Sequence, residues 1–233
     1  MRIALFSDIH GNYQALQAIL EDINNESFDS VICLGDIVGI GPSSAICLDE
    51  IMKFDIKMIL GNQELYQVRG HQIDNLSEEI IEHIEWVRST LSEEQINYLE
   101  KAPLSIEFIN RGRLFTFSHF LIDDEKKEYP FFDIAIIDNF NKLNVLSYEY
   151  LFFGHAHKSF EIIGTNSLYR CISSSGCRNN DITSYTVLEI FDNHIKCYEK
   201  YLKYDRKKFL KQIKSIDYPG KENFMKNIYG IKE

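Results

Sequence analysis

The sequence predicts an α/β fold, with a half in which strands and helices alternate followed by a strand-rich half, packed together as a single domain over residues 1–233. Two observations carry this expectation. In the opening segments, short apolar runs alternate with stretches whose apolar residues recur at helical spacing, and that alternation implies parallel strands joined by helical crossovers. From Leu104 onward the pattern turns to short strands. No Gly/Ser-rich stretch separates the two parts, and the chain holds only 4 Pro, so nothing reads as a linker.

Each element follows in order. Arg2–Phe6 is an apolar run ending at Ser7-Asp8, a buried strand. Ala15, Leu16, Ile19, Leu20 and Ile23 share one helical face. Asp29–Leu34 is a second strand, stopped by Gly35-Asp36. Ser43–Phe54 is a helix that starts after Pro42, with serines able to cap it. Ile56–Leu60 is a third strand, stopped by Gly61-Asn62. Ser77–Thr90 sets Ile80, Ile81, Ile84 and Val87 on one face, and Ser92–Glu100 opens with Ser92 and Gln95 at capping-box spacing. These two form a helical insertion around residues 70–100. The strands of the second half are Leu104–Ile109, Leu114–Ser118, Tyr150–Phe153, Ser159–Ile163, Leu168–Ser173 and Tyr185–Phe191. A basic helix, Asp205–Ile216, closes the chain with Asp205 as its N-cap.

Composition narrows the function. The chain is 45% hydrophobic and 26% charged, ordinary for a globular protein. Its net charge of −10 argues against generic nucleic-acid binding, which calls for a basic excess. No apolar run approaches the ~18 residues of a membrane span, and Asp8 comes too soon for a signal peptide. Five cysteines without paired spacing fit a reducing cytoplasm. Lys196, Lys200, Lys203, Arg206, Lys207, Lys208, Lys211 and Lys214 crowd together. They read as a solvated helix face, or as a docking face for an acidic partner.

Chemistry stands at the strand ends. The first strand ends in Asp8-Ile9-His10-Gly11-Asn12, the second in Gly35-Asp36-Ile37-Val38-Gly39 and the third in Gly61-Asn62-Gln63-Glu64. Later strands add Ser118-His119 and Gly154-His155-Ala156-His157. Open parallel sheets place ligands at the carboxyl ends of their strands. Four of the 7 histidines therefore gather there with Asp8, Asp36 and Asn62. This N/O donor set without thiolate suits manganese first, then iron or zinc, with nickel or cobalt also admitted. In an extended D-x-H or H-x-H, alternation points both ligands to one side. Seven ligands are too many for one ion but suit two divalent ions about 3.5–4 Å apart, with Asp36 as the bridging carboxylate, able to activate a shared hydroxide.

The ordered set D-x-H, G-D-x-V-G, G-N-x-E, a lone His and G-H-x-H resembles the calcineurin-like metallophosphoesterases, most closely a small bacterial branch of phosphodiesterases. Ser7–Asn12 and Gly35–Pro42 carry the likeness most plainly. It implies a four-layer α/β/β/α sandwich with a dinuclear metal site at one edge. On that pattern Asp8, His10, Asp36 and His157 hold one ion, while Asp36, Asn62, His119 and His155 hold the other. Asp36, Asn62, Gln63 and His119 form the catalytic group, and Asn12 orients the first motif, unless it is an exposed turn residue.

Two departures bear on activity. Gln63 stands where the family has a histidine thought to act as general acid. A glutamine amide can hydrogen-bond a phosphate oxygen but cannot deliver a proton, help worth roughly 10²–10⁴-fold. His71 is a candidate substitute acid, against a plain surface histidine. Around His119, Phe120 adds bulk where relatives have glycine, and the charged run Asp123–Glu128 is a candidate wall of the substrate entrance. In Ser173–Arg178, Arg178 reads as a phosphate clamp or a surface arginine, and Cys177 as a low-pKa thiol or a packed residue. The expected activity is hydrolysis of a small phosphate ester, a nucleotide among the candidates, with diesters and anhydrides favoured over alkyl monoesters. The alternatives are a scaffold of the same fold, as in a subunit of the retromer sorting complex, or a nucleotide sensor. Oligomeric state stays open.

Overall fold

The structure is a computed structural model that describes residues 1–70, 76–122, 128–129, 149–163 and 167–231. His71 and most of the run Asp123–Glu128 lie outside the described residues. The first half runs β1 (Arg2–Phe6), α1 (Tyr13–Asn24), β2 (Ser30–Cys33), α2 (Ser44–Lys53), β3 (Lys57–Met58), α3 (Asn62–Arg69), α4 (Glu78–Thr90) and α5 (Glu93–Lys101). The strands β4 (Ser105–Asn110), β5 (Arg113–Ser118), β6 (Leu121–Ile122), β7 (Glu128–Tyr129), β8 (Tyr150–Phe153), β9 (Phe160–Ile163) and β10 (Leu168–Cys171) follow. The chain then continues through β11 (Ile182–Ile190), β12 (Ile195–Lys203), α6 (Arg206–Ser215) and α7 (Lys221–Asn227).

Two mixed five-stranded sheets, flanked by helices, make the sandwich. The first has the order β12-β11-β1-β2-β3, the second β4-β5-β8-β10-β9, and β6 pairs with β7 apart from both. β1, β2 and β3 are mutually parallel, as the helical crossovers require, and so are β5, β8 and β10. Alternation along the buried strands sorts their side chains. Ala4, Phe6, Cys33 and Val187 face α1, α2 and their neighbours. Ile3, Leu5, Ile32, Leu34 and Leu188 pack instead against Phe115, Phe117 and Phe152 of the second sheet. The outer face of the second sheet is apolar and buried as well, through Leu151, Phe153, Tyr169 and Cys171.

Several elements depart from expectation. β3 spans two residues rather than the whole of Ile56–Leu60. The basic cluster is not one helix face: Lys196, Lys200 and Lys203 belong to β12, which pairs with β11 along its length. Lys200 forms an ion pair with Asp22 of α1 at 2.6 Å and a second with Glu26. Lys207, Lys208, Lys211 and Lys214 do form an exposed face of α6, whose Asp205 accepts from the Lys208 N–H at 2.9 Å. The Ser92/Gln95 capping box closes as expected, at 3.2 and 2.9 Å. Ser43 and Ser44 do not cap α2 in the ordinary way. Ser44 Oγ instead accepts from the Gly39 N–H at 3.0 Å, and Ser43 Oγ from Gln212 Nε2 of α6 at 2.7 Å. Among the described residues no helix is long and apolar enough to cross a membrane.

Candidate metal centre

The loops after β1 and β2 are knitted together by their backbones before any side chain takes part. Asp8 N–H donates to the Gly35 carbonyl at 3.0 Å, His10 N–H to Asp36 at 2.9 Å and Gly11 N–H to Ile37 at 2.9 Å. The second half joins through Gly176 N–H, which reaches the Asp8 carbonyl at 3.0 Å, and through Ser174 Oγ, which reaches the same carbonyl at 2.8 Å. These approaches leave no room. A Cβ on Gly154 would stand 2.1 Å from Ser7 Oγ and 2.8 Å from Asp8 Oδ2.

Asp8, His10, Asp36, His155 and His157 all have positive φ, between 49° and 66°. Non-glycine residues take that conformation at a cost, and its concentration at one place marks a site where the surroundings enforce geometry. It also corrects the sequence argument. Asp8 and His10, like His155 and His157, do not converge through strand alternation, because both pairs lie beyond the strand ends in left-handed backbone.

All seven expected ligands come together. His10 Nε2 lies 3.7 Å from Asp8 Oδ1, 3.6 Å from Asp36 Oδ2 and 3.0 Å from His157 Nε2. His157 Nε2 is 3.3 Å from Asp8 Oδ1. On the other side of Asp36, His119 Nε2 is 3.3 Å from Asp36 Oδ2 and 3.3 Å from His155 Nδ1, which is 2.9 Å from Asn62 Oδ1. Donor atoms about 2.1 Å from a common ion stand roughly 3.0–3.4 Å apart across octahedral or tetrahedral edges. The contacts at 2.9–3.3 Å match such shells, while those of His10 to Asp8 and Asp36, at 3.7 and 3.6 Å, are wider. Asp36 Oδ2 faces both groups. Asp8 Oδ1, fully buried, accepts no hydrogen bond among the described residues. A buried carboxylate oxygen without a donor calls for a cation.

The supporting hydrogen bonds fix which atoms face inward. His119 Nδ1 donates to the Leu34 carbonyl at 2.7 Å and His10 Nδ1 to the Val38 carbonyl at 3.3 Å, leaving each Nε2 for the centre. Charges set the protonation. Burial alone would push the Asp8 carboxyl up, but the His157, His10 and His119 imidazoles outweigh it and hold it well below its ordinary value. Burial would lower His119, yet Asp36, Asp8 and the Leu34 carbonyl push it up to about 9. His155 is brought down to about 4 by burial and by His119.

Two residues the sequence reading left without a role organise this centre. Glu64, fully buried at the start of α3, accepts four backbone N–H bonds: Asp36 (2.8 Å) and Gly61 (2.9 Å) on Oε2, Ile37 (2.8 Å) and Val38 (3.1 Å) on Oε1. It clamps the Asp36 loop to the helix that carries Asn62. His83 of α4 accepts from the Ile40 N–H at 2.9 Å and donates to the Pro219 carbonyl at 3.0 Å. The signal for Glu64 was the acidic residue of G-N-x-E; that for His83 was a polar residue on an apolar helix face.

The remaining candidates separate. Gln63 occupies the first turn of α3, its N–H donating to Asp36 Oδ1 at 2.9 Å and its side chain lying over Gly39, where a Cβ would stand 2.4 Å from Gln63 Oε1. Asn12 is fully buried rather than an exposed turn residue, capping α1 through the Ala15 N–H at 3.1 Å and donating to the Gly176 carbonyl at 2.9 Å. Arg178 is neither loose nor wholly free: its Nε donates to the Ser174 carbonyl at 2.9 Å and its Nη2 to Ser173 Oγ at 2.6 Å. Cys177 lies near His10 and His157, and burial and Asp8 push its thiol up. Phe120 is buried and edge-on to His119, at 5.2 Å between ring centroids.

Comparison with known proteins identifies the family and the fold. The sequence model of the calcineurin-like phosphoesterase family matches residues 1–159. An uncharacterized protein of Methanocaldococcus jannaschii is 33% identical over 159 residues, which make up 68% of this chain and 63% of that protein. The chain thus matches somewhat less than two thirds of that relative's length. Among solved structures, a metallophosphoesterase from Sphaerobacter thermophilus superposes with a TM-score of 0.70 at 20% identity, over 92% of this chain and 93% of that one. A hypothetical protein from Pyrococcus horikoshii does so with a TM-score of 0.71 at 17% identity, over 100% and 99% of the two chains. At these identities the two structures speak for the fold.

Proposed function

Because this chain belongs to the calcineurin-like phosphoesterase family, we propose that it is a phosphoesterase dependent on two divalent metal ions, manganese first among them, and that it cleaves small phosphodiesters or activated phosphate bonds. The observation that carries the reading is Asp36 Oδ2, which faces a group holding Asp8, His10 and His157 on one side and a group holding Asn62, His119 and His155 on the other. Ions held there would supply Lewis-acid charge to a phosphoryl group and lower the pKa of a bound water.

The chain's own contribution is positional and electrostatic. Glu64 and the backbone bonds between the β1 and β2 loops hold the carboxylates still, so that little reorganisation is needed when charge develops on the phosphoryl oxygens. Gln63, at the mouth of α3, can donate from its amide to a phosphoryl oxygen and so orient the ester. It holds no proton to give the departing oxygen, so esters with stable leaving groups, such as aryl diesters and anhydrides, are favoured over alkyl monoesters.

The test uses the protein stripped of metal and reloaded with Mn²⁺, assayed on bis(p-nitrophenyl) phosphate and on p-nitrophenyl phosphate. Metal-dependent cleavage, faster on the diester and abolished in Asp36→Asn, is the expected result. Metal binding without turnover of either ester would move the chain to a scaffold or sensing role.

A further inference from the structure

Beyond the metal centre lies a cavity of about 570 Å³ whose wall begins at His157 and continues through Lys158, Arg178, Asn179, Glu199 and Tyr201. Its size suits a small organic ligand. We propose that this cavity is a subsite for the uncleaved part of the substrate, and that it takes a nucleotide, with a second phosphate on Lys158 and Arg178 and the base on Tyr201. The inference rests on the phosphoesterase reading and names the substrate class that reading leaves open.

The cations come first. Lys158 follows His157 directly, is exposed, and has no hydrogen bond or ion pair among the described residues. Arg178 is held in plane by the Ser174 carbonyl and by the Ser173 and Ser184 hydroxyls, which engage Nε and Nη2 and leave Nη1 without a partner among the described residues. A guanidinium fixed on one edge and open on another is suited to an anion. The one carboxylate of the wall, Glu199, accepts from Ser173 Oγ at 3.2 Å on Oε1 and from the Tyr201 hydroxyl on Oε2. Against burial, these bonds and the Arg178 guanidinium hold it below its ordinary value, so it stays an anion, and Lys158 and Arg178 together outnumber it.

The aromatic wall points to a planar ligand. Tyr201 is 60% exposed although it sits on a strand, and its hydroxyl is anchored to Glu199. The Arg178 guanidinium lies over the ring, 5.9 Å from its centroid, and an exposed ring held by its tip beside a cation is a platform on which the base of a nucleotide stacks. Asn179 adds an amide able to donate and to accept at the edge of a base. A phosphate monoester of a sugar would use the cations and leave the ring idle.

The test is calorimetric titration of the Mn²⁺-loaded protein with phosphate, pyrophosphate and ADP. In the unsubstituted protein ADP should bind about tenfold or more tightly than pyrophosphate, the worth of one stacked base. Tyr201→Ala should remove that margin and Tyr201→Phe keep it. Lys158→Ala should weaken pyrophosphate and ADP severalfold while phosphate binding is much less affected. ADP binding no tighter than pyrophosphate, or affinities indifferent to both positions, would overturn the subsite. Hydrolysis of bis(p-nitrophenyl) phosphate, measured alongside, separates the two readings. Turnover with indifferent affinities removes the subsite alone, whereas the expected affinities without turnover keep the subsite and remove the esterase.

Discussion

Glu64 shows how much a single buried carboxylate can organise. Its two oxygens accept two N–H groups each, from Asp36 and Gly61 and from Ile37 and Val38. Glutamine has nearly the same shape but presents one oxygen and one NH₂. In Glu64→Gln, two buried N–H donors would therefore face another donor, at a cost of about 1–3 kcal/mol for each unsatisfied group. The variant is expected to lose about 2–6 kcal/mol in urea unfolding and to bind Mn²⁺ more weakly; unchanged stability would show that the clamp is dispensable. Gln63 makes the opposite case, a residue whose substitution should add something. Gln63→His restores a group able to carry a proton near the leaving oxygen, so turnover of an alkyl ester should rise by up to about 10²-fold while p-nitrophenyl diesters change little. An equal gain on both would mean that the histidine acts by orienting the ester rather than by proton transfer.

Between elements, His83 is the joint that deserves a measurement. It links α4 to the loop that follows Asp36, through the Ile40 N–H, and to the segment before α7, through the Pro219 carbonyl. Trp86, Tyr218 and Phe224 surround its ring. Because Nε2 must accept, the imidazole has to be neutral, and burial brings it down to about 4 from the ordinary 6.5. The unfolded chain thus binds the proton more tightly than the folded one. Its contribution is fully present above about pH 6.5 and is lost as pH falls toward 4, a change on the order of 3 kcal/mol. His83→Gln keeps both hydrogen bonds but does not titrate, so metal-free melting curves between pH 4.5 and 7 should be flatter for the variant than for the unsubstituted protein. Parallel curves would refute the assignment.

The same scale shows what the sequence could reveal. β1, β2 and α1 were legible because apolar runs stop at polar, glycine-rich ends, and those ends carry the candidate ligands. β12 was not legible as a strand. It lies at a sheet edge with lysines on it, and Lys200 points to the acidic side of α1, so its composition resembles a solvated helix. α3 escaped because only Leu65 and Val68 mark its apolar face and its first residue is the candidate ligand Asn62. Glu64 stood in G-N-x-E without a role because its partners are backbone N–H groups, which residue types do not reveal.

At the scale of the whole molecule, the candidate centre is also a tie between the two sheets. Asp8 and His10 follow β1 and Asp36 follows β2 in the first sheet, while His119 follows β5 and His155 and His157 follow β8 in the second. Without cations, the two buried carboxylates face imidazoles, of which His119 holds its proton above its ordinary affinity. The unfolded chain scatters these seven groups and cannot offer them together, so ions that bind the folded form must stabilise it by mass action. At a free concentration 100 times the dissociation constant this amounts to about 2.7 kcal/mol. For a chain of 233 residues, each kcal/mol moves the melting temperature by roughly 2–4 °C. Adding Mn²⁺ to the stripped protein should therefore raise its midpoint by about 5–10 °C, and a chelator should reverse the rise. Asp36→Asn weakens both halves of the centre at once, so it should lose most of the shift, whereas a substitution confined to one half, such as His157→Ala, should keep part of it. A shift of the same size in Asp36→Asn would place the stabilising ions elsewhere and detach the geometry of this centre from metal binding.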